Sequence, residues 1–94
     1  MKPKIKVRQI SSEPSWRFGV VVEESVGDVS EHNVSMGKDF YESLDTDVEP
    51  EKVIEESFRF LLSKEPKEMI MKEFDVTVIS NYFPEYRERL EERI

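Results

Sequence analysis

The hydrophobic period of this chain changes once, just after Met36, and that change constrains the fold more than any single motif. Up to Met36, apolar residues alternate with polar ones, as in strands that bury one face. In KIKVRQI, Ile5 and Val7 alternate with Lys4, Lys6 and Arg8. In WRFGVVVEE, Trp16, Phe18, Val20 and Val22 share one face against Arg17, Gly19, Val21 and Glu23. The turn cluster SSEPS between the two runs predicts a hairpin. A polar loop around Gly27 and Asp28 then leads to EHNVSM, where His32, Val34 and Met36 alternate with Glu31, Asn33 and Ser35. Short connections favour a third antiparallel strand there.

Beyond Met36 the spacing becomes helical. Phe40, Tyr41 and Leu44 in GKDFYESL predict a short helix. DVEPEKVIEESFRFLLSKEP has Pro50 at a natural first helical position and Pro66 just past its end. At 100° per residue, Val53, Ile54, Ser57, Phe58, Phe60, Leu61 and Leu62 span a wide arc, with Lys52, Glu55, Glu56, Arg59 and Ser63 on the polar side. So wide an apolar face predicts a helix held between the sheet and the C-terminal segments. EPKEMIMKEF follows, read with Met69, Ile70 and Phe74 inward. In DVTVISNY, β-branched Val76, Thr77, Val78 and Ile79 suit a strand, whereas Asp75 as an N-cap and the spacing of Val76, Ile79 and Phe83 favour a helix. Glu85 and Arg89 then sit at helical i, i+4 spacing in the tail. The expectation is one α+β domain over residues 1–94, with a three-stranded antiparallel N-terminal sheet followed by three to five short helices packed on one face.

Composition bounds the role. A length of 94 residues suits one modest core, and 37% charged residues flanking periodic apolar segments read as a solvated exterior. The net charge of −7 repels phosphate backbones and anionic membranes, which ranks nucleic acid low among partners. Against that trend, Lys2, Lys4, Lys6 and Arg8 form a basic start with no acid among them. The chain has no cysteine, which excludes disulfides, thiolate metal sites and cysteine nucleophiles. No apolar run has the length of a signal-peptide core or a membrane span, so a cytoplasmic setting without membrane contact is expected.

Residues 34–86 resemble a family of small uncharacterised prokaryotic proteins. The resemblance lies in NVSMGKDFYESL, EPEKVIEESFRFLLSKEPKEMI, FDVTVI and YFPEY, with their Phe-x-Phe-Leu-Leu, Glu-Pro, Phe-Asp and Phe-Pro-Glu-Tyr elements. It implies a compact small fold in a cytoplasmic setting and brings no activity to any residue.

Candidate chemistry is sparse. His32 is the only histidine, and alternation puts it on the face opposite Glu31, which argues against a metal cluster of Asp28, Glu31 and His32. The adjacent pairs Glu23–Glu24, Glu55–Glu56 and Glu91–Glu92 diverge on strands or helices and make no acid/base dyad. Ser11, Ser12 and Ser15 surround a turn, and three glycines supply no phosphate-cradling loop. The pattern calls for no catalytic residue, metal or cofactor. The remaining reading is a noncatalytic protein-binding or regulatory module, a monomer or weak homodimer, with Tyr82 as the candidate partner contact. The alternatives are a weak single-stranded RNA binder through Lys4, Lys6, Arg8 and Arg17, or an enzyme or enzyme subunit whose site assembles only in space. Within NYFPEY, Phe83 is expected buried, Tyr86 partly buried with its hydroxyl at the rim, and Tyr82 most exposed.

Overall fold

In the computed structural model, which describes residues 3–94, the alternating segments form three successive strands: β1 (Lys4–Ser11), β2 (Trp16–Ser25) and β3 (Asp28–Met36). Lys2 of the basic start lies outside the described residues. Register follows the alternation. Ile5 faces Val22 and Val7 faces Val20, while Phe18 pairs with Val34, and Val20 with His32. Only Val26 and Gly27 separate β2 from β3, a tighter connection than the loop expected. Gly27 adopts φ +84°, a left-handed conformation that a Cβ would oppose, so the strands can reverse within two residues.

The helical half comprises α1 (Lys38–Ser43), α2 (Pro50–Lys64), α3 (Ile79–Tyr82) and α4 (Tyr86–Arg93), with 3₁₀ turns at Lys67–Met69 and Val76–Val78. Pro50 opens α2, where its missing N–H costs nothing. Asp75 caps the 76–82 segment by accepting from the Thr77 N–H at 3.1 Å. That segment is helical, as the cap predicts, but its β-branched start is a 3₁₀ turn rather than an α-helix.

The three-stranded expectation is corrected by a fourth strand, β4 (Glu73–Asp75), which pairs parallel to β3. The sheet order is β1-β2-β3-β4, so the sheet is mixed rather than antiparallel. Three residues are too few to show a period in sequence. The pairing exists because α2 and the following turn return the chain to the free edge of β3, where the Asn33 N–H donates to the Lys72 carbonyl at 2.6 Å.

Helices cover one sheet face, with α2 held between the sheet and α4. The core combines Phe18, Val20, Val22, Val34 and Met36 from the sheet with Val53, Ile54, Phe58 and Phe60 from α2, and it closes on Tyr86 and Leu90 of α4. Each such side chain contributes about 1.5–3 kcal/mol through burial. Glu56, expected on the polar side of α2, is instead only 8% exposed. Packing of α4 across α2 covers it, and its carboxylate meets Lys52 at 3.0 Å, Arg93 at 3.5 Å and Arg59 at 3.9 Å. The opposite sheet face has no helix over it. Lys4, Lys6, Arg8, Arg17, Glu31, Asn33 and Glu73 are exposed there.

Candidate protein-docking pocket

The chain between α2 and β4 forms a strap whose course is set by two buried polar side chains. Pro66 ends α2, and the Met69 N–H turns back to the Pro66 carbonyl at 2.9 Å. Lys67 is 2% exposed, and its ammonium meets Asp28 at 2.6 Å and Glu24 at 3.7 Å, with Glu68 as a third partner. These carboxylates hold the Lys67 ammonium well above its usual range, chiefly through hydrogen bonds from Lys67 to Asp28 and Glu68. Glu24, Asp28 and Glu68 converge closely enough to hold a cation, and Lys67 already supplies the positive charge at their centre.

Four residues on, His32 fastens the strap to the sheet. Its Nδ1–H donates to the Met71 carbonyl at 2.8 Å, and the Ser30 hydroxyl lies 2.9 Å from Nε2. With Nδ1 donating, the neutral imidazole accepts from Ser30 at Nε2. His32 is 3% exposed and packs on Phe58 with ring centroids 5.2 Å apart. Burial lowers its pKa from the ordinary value, Lys72 lowers it further, and the bond to Met71 opposes both.

Between these anchors the strap alternates. Ile70 is buried, whereas Met69 is 66% and Met71 41% exposed. The inward reading of Met69 is therefore corrected, while Ile70 and Phe74 do turn inward. Residues 69–71 are not a continuous helix, and with the strap anchored at Lys67 and Met71 by distant partners only Ile70 reaches the core. Leu61, Glu65, Ile70, Phe74, Ile79 and Phe83 form the inner lining of a pocket of about 300 Å³, with Met69, Met71 and Tyr82 at its mouth. Pockets of this size and apolar lining suit ligand groups or large side chains. Glu65 is the charged residue of this lining and makes no ion pair among the described residues.

Tyr82 is 66% exposed, as expected of the most open residue in NYFPEY. Phe83 is only half-buried, packing edge-on against Phe60 at 5.9 Å, which corrects its expected full burial. Tyr86 is corrected in the opposite direction. It is fully buried, and its hydroxyl lies inside the core against Ser57 rather than at the rim. Pro84 and the turn at Glu85 start α4 with Tyr86 pointing at α2, so Tyr86 rather than Phe83 plugs the core.

The cations singled out in sequence share the open sheet face. Lys4, Lys6 and Arg8 project from β1, and Arg17 projects from β2 but leans across β3 to Glu73 at 3.9 Å. Trp16, the aromatic that a base would stack on, faces the helices and meets Tyr41 edge-on at 5.1 Å. Sequence reasoning missed Met71 and Lys67. The signal that would single out Met71, an alternation of apolar and polar residues, is absent from the uniformly apolar Met69-Ile70-Met71. Lys67 had no signal either, because its three carboxylates come from distant segments as well as its neighbour.

Among the described residues, no helix is long and apolar enough to cross a membrane. Searches of protein families, curated proteins and solved structures found no match for this chain.

Proposed function

We propose that this protein is a noncatalytic protein-binding module that seats an apolar side chain from a partner's amphipathic helix in the pocket between α2, the strap and α3. The observation carrying this reading is the group of exposed Met69, Met71 and Tyr82 around a pocket lined by Leu61, Ile70, Phe74 and Ile79. Methionine adapts its shape to an incoming side chain, and an amphipathic tyrosine suits an interface rim. Both strap ends are anchored, so the two methionines are presented rather than loosely held. The RNA alternative draws on Lys4, Lys6 and Arg8 sharing a face, and is the weaker because Trp16 is turned away from it.

A photo-crosslinking residue placed at Tyr82 is expected to capture one defined protein in the native host, and the same residue at exposed Glu88 is not. Met69→Glu with Met71→Glu should abolish the capture while leaving the melting temperature close to the parent. Equal capture from both positions, or capture indifferent to the methionine changes, overturns the reading.

A further inference from the structure

The sheet edge farthest from the pocket carries a second ordered chemistry. β1 is the terminal strand of the order β1-β2-β3-β4, with no partner on its outer side among the described residues. Alternate backbone N–H and C=O groups of such a strand point outward unpaired. Its open face presents Lys4, Lys6 and Arg8, opposite Glu23, Val21 and Gly19 of β2. All three cations are exposed, and none forms an ion pair among the described residues.

The other face of the same strand is apolar and incompletely covered. Ile5 and Val7 are only half-buried, whereas their partners Val22 and Val20 are 0% and 1% exposed. Pro3 and Leu62 line a trough between the start of β1 and α2, together with the charged side chains Lys52, Glu55, Arg59 and Arg93. Apolar cover thus thins at β1, on which α2 packs, and ends at the outer edge of that strand.

We propose that the β1 edge docks an extended acidic segment of another protein, a strand in which carboxylates alternate with apolar residues. Side chains on one face recur every second residue, roughly 6.5–7 Å apart along a strand. A segment with that alternation sets its carboxylates beside Lys4, Lys6 and Arg8 and its apolar residues beside Ile5 and Val7. Its backbone completes the ladder. This is strand addition, in which main-chain bonds supply affinity and alternate side chains supply specificity.

A second copy of the chain does not fit. Antiparallel pairing of β1 on itself about Lys6 sets Lys6 against Lys6 and Lys4 against Arg8, so cations oppose cations. The basic row that prevents self-pairing is the feature that selects an acidic partner. A phosphate backbone would satisfy the cations but leave Ile5 and Val7 uncovered. The inference uses the edge opposite β4 and does not rest on the pocket reading.

The probe is a peptide of alternating glutamate and valine between Gly-Ser ends, with a lysine–valine peptide and oligouridylate as comparisons. Amide NMR of the full chain should show shifts and slowed hydrogen exchange at β1 on addition of the glutamate–valine peptide, weakening as salt rises. Lys6→Glu should reduce that affinity about threefold to tenfold and raise affinity for the lysine–valine peptide. Lys6→Gln should fall between. Both variants should keep the parent melting temperature, since Lys6 is exposed. Absence of β1 shifts in the parent, equal response to both peptides, or displacement of the peptide by oligouridylate at equal affinity overturns the proposal.

Discussion

The Tyr86 hydroxyl lies 2.6 Å from the Ser57 hydroxyl in the interior, joining α4 to α2. Ser57 donates its own proton to the Val53 carbonyl at 2.8 Å, so Tyr86 is the donor in the pair. Tyr86→Phe should keep the ring packing and leave the Ser57 oxygen without its donor, costing about 1–2 kcal/mol in urea unfolding. Tyr86→Ala should cost about 3–5 kcal/mol, as for other large buried rings. Burial pushes the Tyr86 phenol up to about 12, from an ordinary value near 10. Because the folded-state pKa lies above the unfolded one, this contribution is complete below pH 10 and is lost as the pH rises toward about 12. Tyr86→Phe should flatten that part of the alkaline unfolding profile.

Phe83 and Tyr82 should respond differently from Tyr86, because neither is a full core residue. Phe83→Ala is expected to cost about 1–3 kcal/mol, less than the full-burial figure, since the ring is still partly in water. Tyr82→Ala should stay within about 0.5 kcal/mol of the parent. Thermal melts of the three alanine variants should rank Tyr86 above Phe83 above Tyr82.

Lys67→Ala should lower the melting temperature more than neutralising any one of Glu24, Asp28 or Glu68. The change removes the cation and leaves three converging carboxylates facing each other. Calcium should partly restore the melting temperature of the variant by taking the vacated place, and should leave the parent unchanged. Differential scanning calorimetry with and without calcium checks both.

His32 predicts a stability change in mild acid. Its folded-state pKa lies below the ordinary 6.5, first because of burial and then because of Lys72. The unfolded chain therefore binds the proton more readily, so the stabilisation is complete above about pH 6.5 and is lost as the pH falls below it. His32→Gln should be less stable at pH 7, having lost the bond to Met71, yet flatter as the pH falls below about 6.5. Urea unfolding across that fall in pH separates the two behaviours.

Much of this architecture is legible in the residues because it depends on neighbours in sequence. Ile5 and Val7, or Phe18, Val20 and Val22, share a face through backbone geometry alone, and the partners they meet follow from hairpin register. Pro50 and Pro66 bound α2 because a proline lacks the N–H that a helix interior uses. Asp75 caps the segment after it because a short carboxylate reaches an amide two residues on. The exposure of Tyr82 and the basic row on β1 are legible in the same way.

Sequence alone determined the α+β order, the buried face of β1–β3, the ends of α2 and the charge carried by each face. Tertiary structure decided the parallel β4 strand, the burial of Glu56 and Lys67, the exposure of Met69 and Met71, and the exchange of roles between Phe83 and Tyr86. The local features follow from dihedral preference and side-chain period, which act over a few residues. The others need segments about 29 to 43 residues apart to meet, as Ser57 meets Tyr86 and Lys67 meets Asp28 and Glu24. Whether a charge, a methionine or a phenol lies inside is set by what packs over it, and that cover comes from distant segments brought together by one shared core.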